Sequence, residues 1–125
     1  MNMKFLSLVA IAILAAMILA ACGGSAEPTY APADVTQGED LFASTCSACH
    51  GADAKGLPNL GKDLTTSEYV RDNDDDTLLL LLKEGRPSGH ELNTTGVDMP
   101  PKGGNPSLAD EDLLAIVAYM RSINQ

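Results

Sequence analysis

The sequence predicts an all-α domain of about four helices, and three observations indicate this fold class. Stretches with helical spacing of apolar residues begin at capping residues and end at glycine or proline. The alternation of apolar and polar residues that is typical of half-buried strands is scarce, and the chain has no Trp. No internal repeat is present. We therefore expect one small domain, which we place at residues 36–125.

The N-terminus has the composition of an export signal rather than of a folded segment. Lys4 precedes a nearly unbroken apolar run over residues 5–21, and small residues lead directly into Cys22. This ending is similar to the lipobox of bacterial lipoproteins, in which the cysteine is diacylated after cleavage. We expect residues 1–21 to be removed and Cys22 to carry lipid. The alternatives are an ordinary signal peptide and a transmembrane anchor, for which the run is at the short limit.

The segment that follows Cys22 predicts a tether. Residues 22–35 are mostly Gly, Ser, Ala, Pro and Glu, with Tyr30 as the single aromatic residue. Fully extended from Cys22 to Thr36, this tether would reach roughly 45 Å. We expect it to let the domain swing over a membrane.

The first helix is predicted to begin at a capping box. Residues 36–39 place Thr36 at the N-cap and Glu39 at the third helical position. Gly38 and Phe42 lie four residues apart and therefore share one face. Glycine is costly inside a helix unless another element approaches closely. We expect a second helix to pack on this face.

Two further helices are predicted in the middle of the chain. A second capping box, residues 65–68, precedes a short helix that ends at about Arg71. The acidic segment 72–76 is predicted to cap a third helix over residues 77–84. Five consecutive leucines make this helix apolar almost all round, which is typical of a buried helix. Gly85 is its expected stop.

The last helix follows a long loop. Residues 87–106 are rich in Gly, Pro, Asn, Ser and Thr and predict an ordered loop, and loops of this length are usually functional. Residues 110–124 predict a helix with acidic residues near its start and Arg121 near its end, which suits the helix dipole. Its apolar face comprises Leu113, Ile116, Val117 and Met120.

The motif that carries chemistry is C-x-x-C-H at residues 46–50, the attachment signature of c-type haem. Cys46 and Cys49 would lie on one helical turn and could bond the two vinyl groups of one porphyrin. His50 would then offer Nε2 to the iron. The alternatives are a thioredoxin-like redox pair, half of a zinc site and a structural disulfide. Only haem attachment uses all three residues.

Met99 is the predicted second axial ligand. It precedes two prolines, and a residue before proline avoids the α region, so a rigid extended loop would present its thioether. Met120 falls on the apolar face of the last helix and is interpreted as packing. His90, in polar sequence, and an open iron site are the alternatives.

With these residues in place, the chain resembles the class I c-type cytochromes of the small, monohaem, bacterial lipoprotein kind. The resemblance covers about residues 36–124. It depends on the attachment motif, on Met99 in its proline-rich loop, and on two short segments, Pro58-Asn59-Leu60 and Ile116-Val117-Ala118-Tyr119.

The resemblance implies helices around one covalently bound haem, with the first and last helices crossing. Gly38 and Phe42 would then meet Ile116 and Tyr119. The carbonyl of Pro58 would accept a hydrogen bond from Nδ1 of His50. Two departures are a short spacing between His50 and Pro58 and an Ala109 where a Ser or Thr cap is usual. The candidates for binding the haem propionates, chosen on chemistry alone, are Arg86, Asn93, Thr94 and Thr95.

The function that the resemblance implies is electron transfer rather than enzyme catalysis. We expect a membrane-tethered cytochrome that carries single electrons between redox partners of a respiratory or photosynthetic chain. It would be a free shuttle or the haem subunit of a larger complex, in the cell envelope, facing the periplasm or the exterior. The alternative function is a haem protein with an open distal site, either a peroxidase or a gas sensor.

The charge of the chain limits its partners. After loss of Lys4, seven basic side chains face 17 acidic ones, which gives a net charge of −10. Nucleic acid is excluded because phosphate binding needs a basic surface, and a cytochrome with both axial positions filled has no small-molecule substrate. Redox partners with basic docking surfaces are expected. Lys55, Lys62 and Lys102 lie nearest the haem segments and predict a contact rim of mixed charge.

Overall fold

The computed structural model describes residues 29–125; the predicted signal peptide, Cys22 and most of the predicted tether lie outside these residues. The described part of the chain is helical and has no strand, only two isolated β-bridges, which confirms the all-α prediction. The α-helices are α1 (Pro32–Thr45), α2 (Ser47–His50), α3 (Glu68–Asp72), α4 (Asp75–Glu84) and α5 (Asp110–Ile123), and a 3₁₀ turn covers Pro101–Gly104. No helix within the described residues is long and apolar enough to cross a membrane.

Helix α1 begins five residues earlier than predicted, so the prediction of an N-cap at Thr36 was wrong. Ala31 is the N-cap, and Pro32 occupies the first helical position. Proline is favoured there because its φ is already helical and its missing N–H would have no partner in the helix. The Thr36 hydroxyl donates to the Pro32 carbonyl at 3.0 Å, within the helix. The last four residues of the predicted tether are therefore helical.

The entry to α1 is fastened to the rest of the domain by a three-residue clasp. The Tyr30 hydroxyl donates to one carboxylate oxygen of Asp75 at 2.7 Å. Nε and Nη2 of Arg121 donate to the other oxygen at 3.1 and 3.0 Å. Arg121 also donates to the carbonyls of Val70 and Asn73. The clasp of Tyr30, Asp75 and Arg121 thus joins the N-terminal entry, the α3–α4 junction and α5.

Changing Tyr30 to phenylalanine is expected to remove a pH-dependent part of the stability. Burial, and then the hydrogen bond to Asp75, raise the pKa of Tyr30 from its ordinary value of 10.0 to about 12. Because the folded pKa lies above the unfolded one, this stabilisation is complete below pH 10 and is lost as the pH rises towards 12.

Urea unfolding of the wild type and of Tyr30→Phe would check this prediction. We expect the variant to be about 1 kcal/mol less stable at neutral pH, the usual worth of one hydrogen bond. The difference should shrink as the pH passes from 10 to 12. A difference that stays constant across that range would contradict the assignment.

Helices α1 and α5 pack closely, as the resemblance implied. A Cβ at Gly38 would overlap the carbonyl of Ala115 and lie 2.9 Å from Cβ of Tyr119. Phe42 is only 1% exposed, and its ring centroid lies 5.2 Å from that of Tyr119. Gly38 therefore lies against Ala115 and Tyr119, one residue away from the expected Ile116. The absence of a side chain at Gly38 therefore allows the close contact between two helices that the sequence predicted.

The N-cap of α3 differs from the predicted residue, whereas the N-cap of α4 lies in the predicted segment. Ser67, rather than Thr65 of the predicted box, caps α3 by accepting a hydrogen bond from Val70 N at 3.3 Å. Asp74 caps α4 by accepting from Thr77 N at 2.8 Å, which confirms that the acidic segment is a cap. Hydrogen bonds from the side chain and then the backbone of Thr77 lower the pKa of Asp74.

Helix α4 is less buried than its leucine run predicted. Leu78 and Leu82 are buried in the core, whereas Leu80 is 52% exposed. The prediction of burial almost all round was wrong because α4 packs one face on α5, while five consecutive leucines occupy every face of a helix. Gly85 ends the helix with a φ of 73°, as predicted.

Candidate functional site

A cavity of about 720 Å³ lies between the helices and the long loop, and it brings the sequence-predicted residues together. Cys46, Cys49, His50 and Met99 all contribute to its wall. The apolar part of the wall includes Phe42, Leu64, Val70, Leu82, Leu113, Ile116 and Met120. The core of the domain and the site therefore share one face of α5.

The attachment motif is a single helical turn at the end of α1. Cys46 joins α1 to α2, and its carbonyl accepts hydrogen bonds from the N–H groups of Cys49 and His50 at 3.1 and 3.0 Å. This turn places both thiols and the imidazole at the cavity. Both cysteines are free thiols, so the structure gives no support to the disulfide alternative. Burial and the neighbouring Cys49 raise the pKa of the Cys46 thiol to about 11, so it is neutral at pH 7.

The zinc alternative lacks partners in the described residues. No group of three or more His, Cys, Asp or Glu side chains is arranged there to hold a metal ion. A zinc site built on Cys46 and Cys49 would need further protein ligands.

The imidazole of His50 is oriented by a main-chain carbonyl, but not by the predicted one. Nδ1 of His50 lies 2.9 Å from the carbonyl oxygen of Lys62. When Nδ1 donates to this oxygen, the tautomer leaves a lone pair on Nε2, which is the form that binds a metal. The prediction that Pro58 supplies this carbonyl was wrong.

A tight hairpin explains why residue 62, and not residue 58, reaches the imidazole. Leu57 and Gly61 exchange backbone hydrogen bonds of 3.1 and 3.2 Å, so Pro58 lies at the exposed tip. A Cβ at Gly61 would overlap the carbonyl of Cys49, so the returning chain packs directly on the attachment turn. The signal that the sequence analysis missed is Gly61, which allows this close approach.

Met99 is held at the cavity by backbone pairing. It exchanges hydrogen bonds of 2.8 and 2.9 Å with Arg86, and a Cβ at Gly85 would overlap the carbonyl of Met99. Pro100, next in the chain, is extended. The position of Met99 is thus fixed by the end of α4 as well as by the prolines that predicted its conformation.

The loop between Arg86 and Met99 is ordered from within by Asn93. Its side-chain amide donates to the carbonyls of Val97 and Pro87 at 2.8 and 3.2 Å. Its side-chain oxygen accepts from the N–H groups of Thr95 and Gly96 at 3.1 and 3.0 Å. Asn93 was predicted only as a propionate partner, and the structure gives it this organising role.

The two rival ligands are differently placed. Met120 contributes to the cavity wall, but it is 4% exposed and belongs to the core cluster with Leu82, Leu113 and Ile116. His90 lies outside the cavity wall and is exposed, and its Nδ1 accepts from Leu92 N at 3.1 Å.

Polar side chains line one part of the cavity. The four candidates for propionate binding, Arg86, Asn93, Thr94 and Thr95, all contribute to it. The guanidinium carbon of Arg86 lies 4.5 Å from the ring centroid of Tyr69, a cation–π contact. This part of the wall could pair with anionic groups.

The predicted rim of three lysines is only partly free for docking. Nζ of Lys62 donates to the carbonyl of Leu92 at 3.1 Å, and Nζ of Lys102 donates to the carbonyl of Leu108 at 2.6 Å. Lys55 is exposed and lies outside the cavity wall. Two of the three ammonium groups therefore hold the protein's own main chain.

The donor set of the cavity fits a covalently attached haem. Two free thiols on one turn could form thioether bonds to the vinyl groups, and the His50 imidazole and the Met99 thioether could bind the iron. The apolar wall suits the porphyrin, and the polar part suits its carboxylates.

Comparison with known proteins agrees with this chemistry. The family described as "Cytochrome C oxidase, cbb3-type, subunit III" matches residues 33–120. The chain is 32% identical over 96 residues to the cbb3-type cytochrome c oxidase subunit CcoP of Rhodobacter capsulatus. The aligned region covers 74% of this chain and 31% of that protein. The chain thus spans about a third of the length of that relative.

A shorter relative and a solved structure extend the comparison. Cytochrome c-555 of Prosthecochloris aestuarii is 30% identical over 89 residues, covering 70% of this chain and 85% of that protein. The crystal structure of cytochrome CL from Methylophaga aminisulfidivorans matches with a TM-score of 0.55 and 25% identity. That match covers 83% of this chain and 72% of the other.

Proposed function

We propose, since this chain belongs to the class I c-type cytochromes and has their all-α fold, that it carries single electrons through one haem c held by Cys46, Cys49, His50 and Met99. The observation that carries the proposal is the common cavity. Two free thiols, an imidazole oriented by a main-chain carbonyl and a thioether all contribute to one largely apolar wall.

Each of these residues has a distinct part in the proposed function. When bound, the haem supplies an iron that gains or loses one electron. The Cys46 and Cys49 sulfurs would hold the porphyrin, and His50 and Met99 would fill both axial positions. Met ligation and a buried site favour the reduced state and a comparatively high potential. With no axial position left for a substrate, the protein would transfer electrons without catalysing a reaction of its own.

The electron-transfer proposal includes two arrangements. One matched relative is a subunit of an oxidase, and another is a cytochrome c of nearly the same length as the matched region. We propose a redox protein that works in a respiratory or photosynthetic chain, as a free shuttle or as the haem subunit of a larger complex. Co-purification from native membranes in mild detergent would distinguish the two.

The haem is expected to be covalent. Wild-type protein treated with acid–acetone should keep its haem on the polypeptide, because two thioether bonds survive denaturation. The double variant Cys46→Ala/Cys49→Ala should release any haem that it binds, whereas Cys22→Ser should retain it. Free extraction of haem from the wild type would overturn the proposed attachment.

Membrane attachment through Cys22 is a separate part of the proposal, and it is supported by the sequence before the cysteine. Cys22→Ser is expected to block processing or to release the cytochrome from the membrane fraction, because no thiol remains to receive lipid. Ser25→Ala is the matched control and should stay with the membrane. Mature wild-type protein that is soluble without detergent would contradict lipid anchoring.

We further propose that the partners have basic docking surfaces and meet the protein in the cell envelope, at the periplasmic or exterior side. Acidic residues dominate the surface at α3, α4 and the start of α5; among them, Asp110 is paired with Lys83 at 2.8 Å. A net negative charge of this size attracts basic partners over a distance and repels acidic ones.

A further inference from the structure

We infer that Lys62 is a positioning residue that straps the loop carrying Met99 to the loop that orients His50. The inference rests on the proposed function, because it presupposes that His50 and Met99 are the two axial ligands. Lys62 would then contact both ligand-bearing loops: its carbonyl binds His50, and its ammonium group binds the loop that carries Met99.

The histidine side of the strap is firmly placed. The Lys62 carbonyl lies 2.9 Å from Nδ1 of His50. The preceding residue, Gly61, packs on the carbonyl of Cys49 so closely that a side chain could not be inserted. The backbone of residue 62 is therefore fixed relative to the attachment turn.

The methionine side is reached by the side chain. Nζ of Lys62 donates to the carbonyl of Leu92 at 3.1 Å. Leu92 is adjacent to Asn93, whose amide binds the carbonyls of Val97 and Pro87 and thereby ties the loop together. The same loop ends at Met99, which is paired with Arg86. A displacement of Leu92 would therefore be transmitted through the loop to Met99.

No other hydrogen bond within the described residues joins segment 47–65 to segment 86–99. The contact is a charged donor on a neutral carbonyl, which is stronger than a hydrogen bond between neutral groups. Since Lys62 and Leu92 are both exposed, water and salt weaken it. A strap of moderate strength should leave the fold intact when it is removed and should alter mainly how often Met99 leaves the iron.

The test compares Lys62→Leu with Lys55→Leu in the ferric holoprotein. Both changes remove one positive charge from the same loop, but within the described residues the Lys55 ammonium group makes no hydrogen bond or ion pair, and Lys55 lies outside the cavity wall. The carbonyl at position 62 is kept in both variants. The measurement is the apparent affinity for added imidazole, which competes with Met99 for the iron, followed by loss of the sulfur-to-iron charge-transfer band.

Imidazole is expected to bind about tenfold more tightly to Lys62→Leu than to the wild type, as loss of one hydrogen bond of moderate strength implies. Lys55→Leu should be unchanged, and Lys62→Arg should restore most of the wild-type affinity. Hydrogen exchange of residues 88–98 should be faster in Lys62→Leu alone, while the haem stays attached in all variants.

Three outcomes would overturn the strap. The first is that imidazole binds to Lys62→Leu as tightly as to the wild type, or less tightly. The second is that Lys55→Leu changes the imidazole affinity by the same amount, which would indicate a charge effect. The third is that Lys62→Arg does not restore the wild-type imidazole affinity. The spectrum of the wild-type protein tests the proposed function separately from the strap. A wild-type protein without the sulfur-to-iron band has no methionine ligand, and that result would reject the ligand assignment together with this inference.

Discussion

Changing Met99 to alanine is expected to open the iron while the haem remains attached. The thioether of Met99 is the proposed sixth ligand, and alanine at this position has no donor atom to replace it. The ferric variant should lose the sulfur-to-iron charge-transfer band, and the ferrous variant should bind CO readily. Attachment through Cys46 and Cys49 should be unaffected. An optical spectrum before and after CO addition measures both effects.

Met120→Ala is the matched control, because it removes a second methionine from the same cavity wall. Met120 is 4% exposed and packed in the core, so its truncation should lower the free energy of unfolding by about 2–5 kcal/mol. The charge-transfer band should persist. If the band is lost in Met120→Ala and kept in Met99→Ala, the ligand assignment is wrong and Met120 is the axial sulfur.

Changing Gly38 to alanine is expected to destabilise the domain severely. The new Cβ would overlap the carbonyl of Ala115 and crowd Cβ of Tyr119. The overlapped atoms are backbone, so relief requires α1 and α5 to move apart. We expect a loss of about 2–3 kcal/mol, even though alanine is the better helix former by about 1 kcal/mol.

Gly89→Ala provides the comparison for this prediction. A Cβ at Gly89 would meet no atom within 4 Å, and its φ is not in the left-handed region. Its effect on stability should be within about 0.5 kcal/mol of zero. Urea unfolding of the two variants and the wild type measures the difference. Equal stability of Gly38→Ala and the wild type would show that α1 and α5 are less closely packed than described.

The sequence was most informative where a pattern depends on local chemistry. The turn with Cys46, Cys49 and His50, the proline-fixed Met99 and the glycine stop at Gly85 could all be predicted, because each needs only its neighbours in the chain. The close approach of α1 to α5 could also be predicted, since glycine at a helical position is costly without such a contact.

The features that the sequence could not predict depend on distant residues. Lys62 reaches His50 because a hairpin returns over the attachment turn, and this path depends on the packing of Gly61 against Cys49. The identity of residue 62 gives no sign of it, since any residue has a carbonyl. Similarly, the exposure of Leu80 follows from which face of α4 meets α5, which a run of identical leucines does not encode.

The clasp at Tyr30 has a consequence for the rate at which the protein meets its partners. If Cys22 is held in the membrane as proposed, the chain from the lipid need run only to Tyr30, which among the described residues is the first whose side chain is bound to the rest of the domain, through Asp75. Its greatest span is then roughly 26 Å, compared with roughly 45 Å for a tether that ends at Thr36. The accessible volume falls by roughly fivefold, so the effective concentration of the cytochrome at a membrane-bound partner within reach rises by about the same factor.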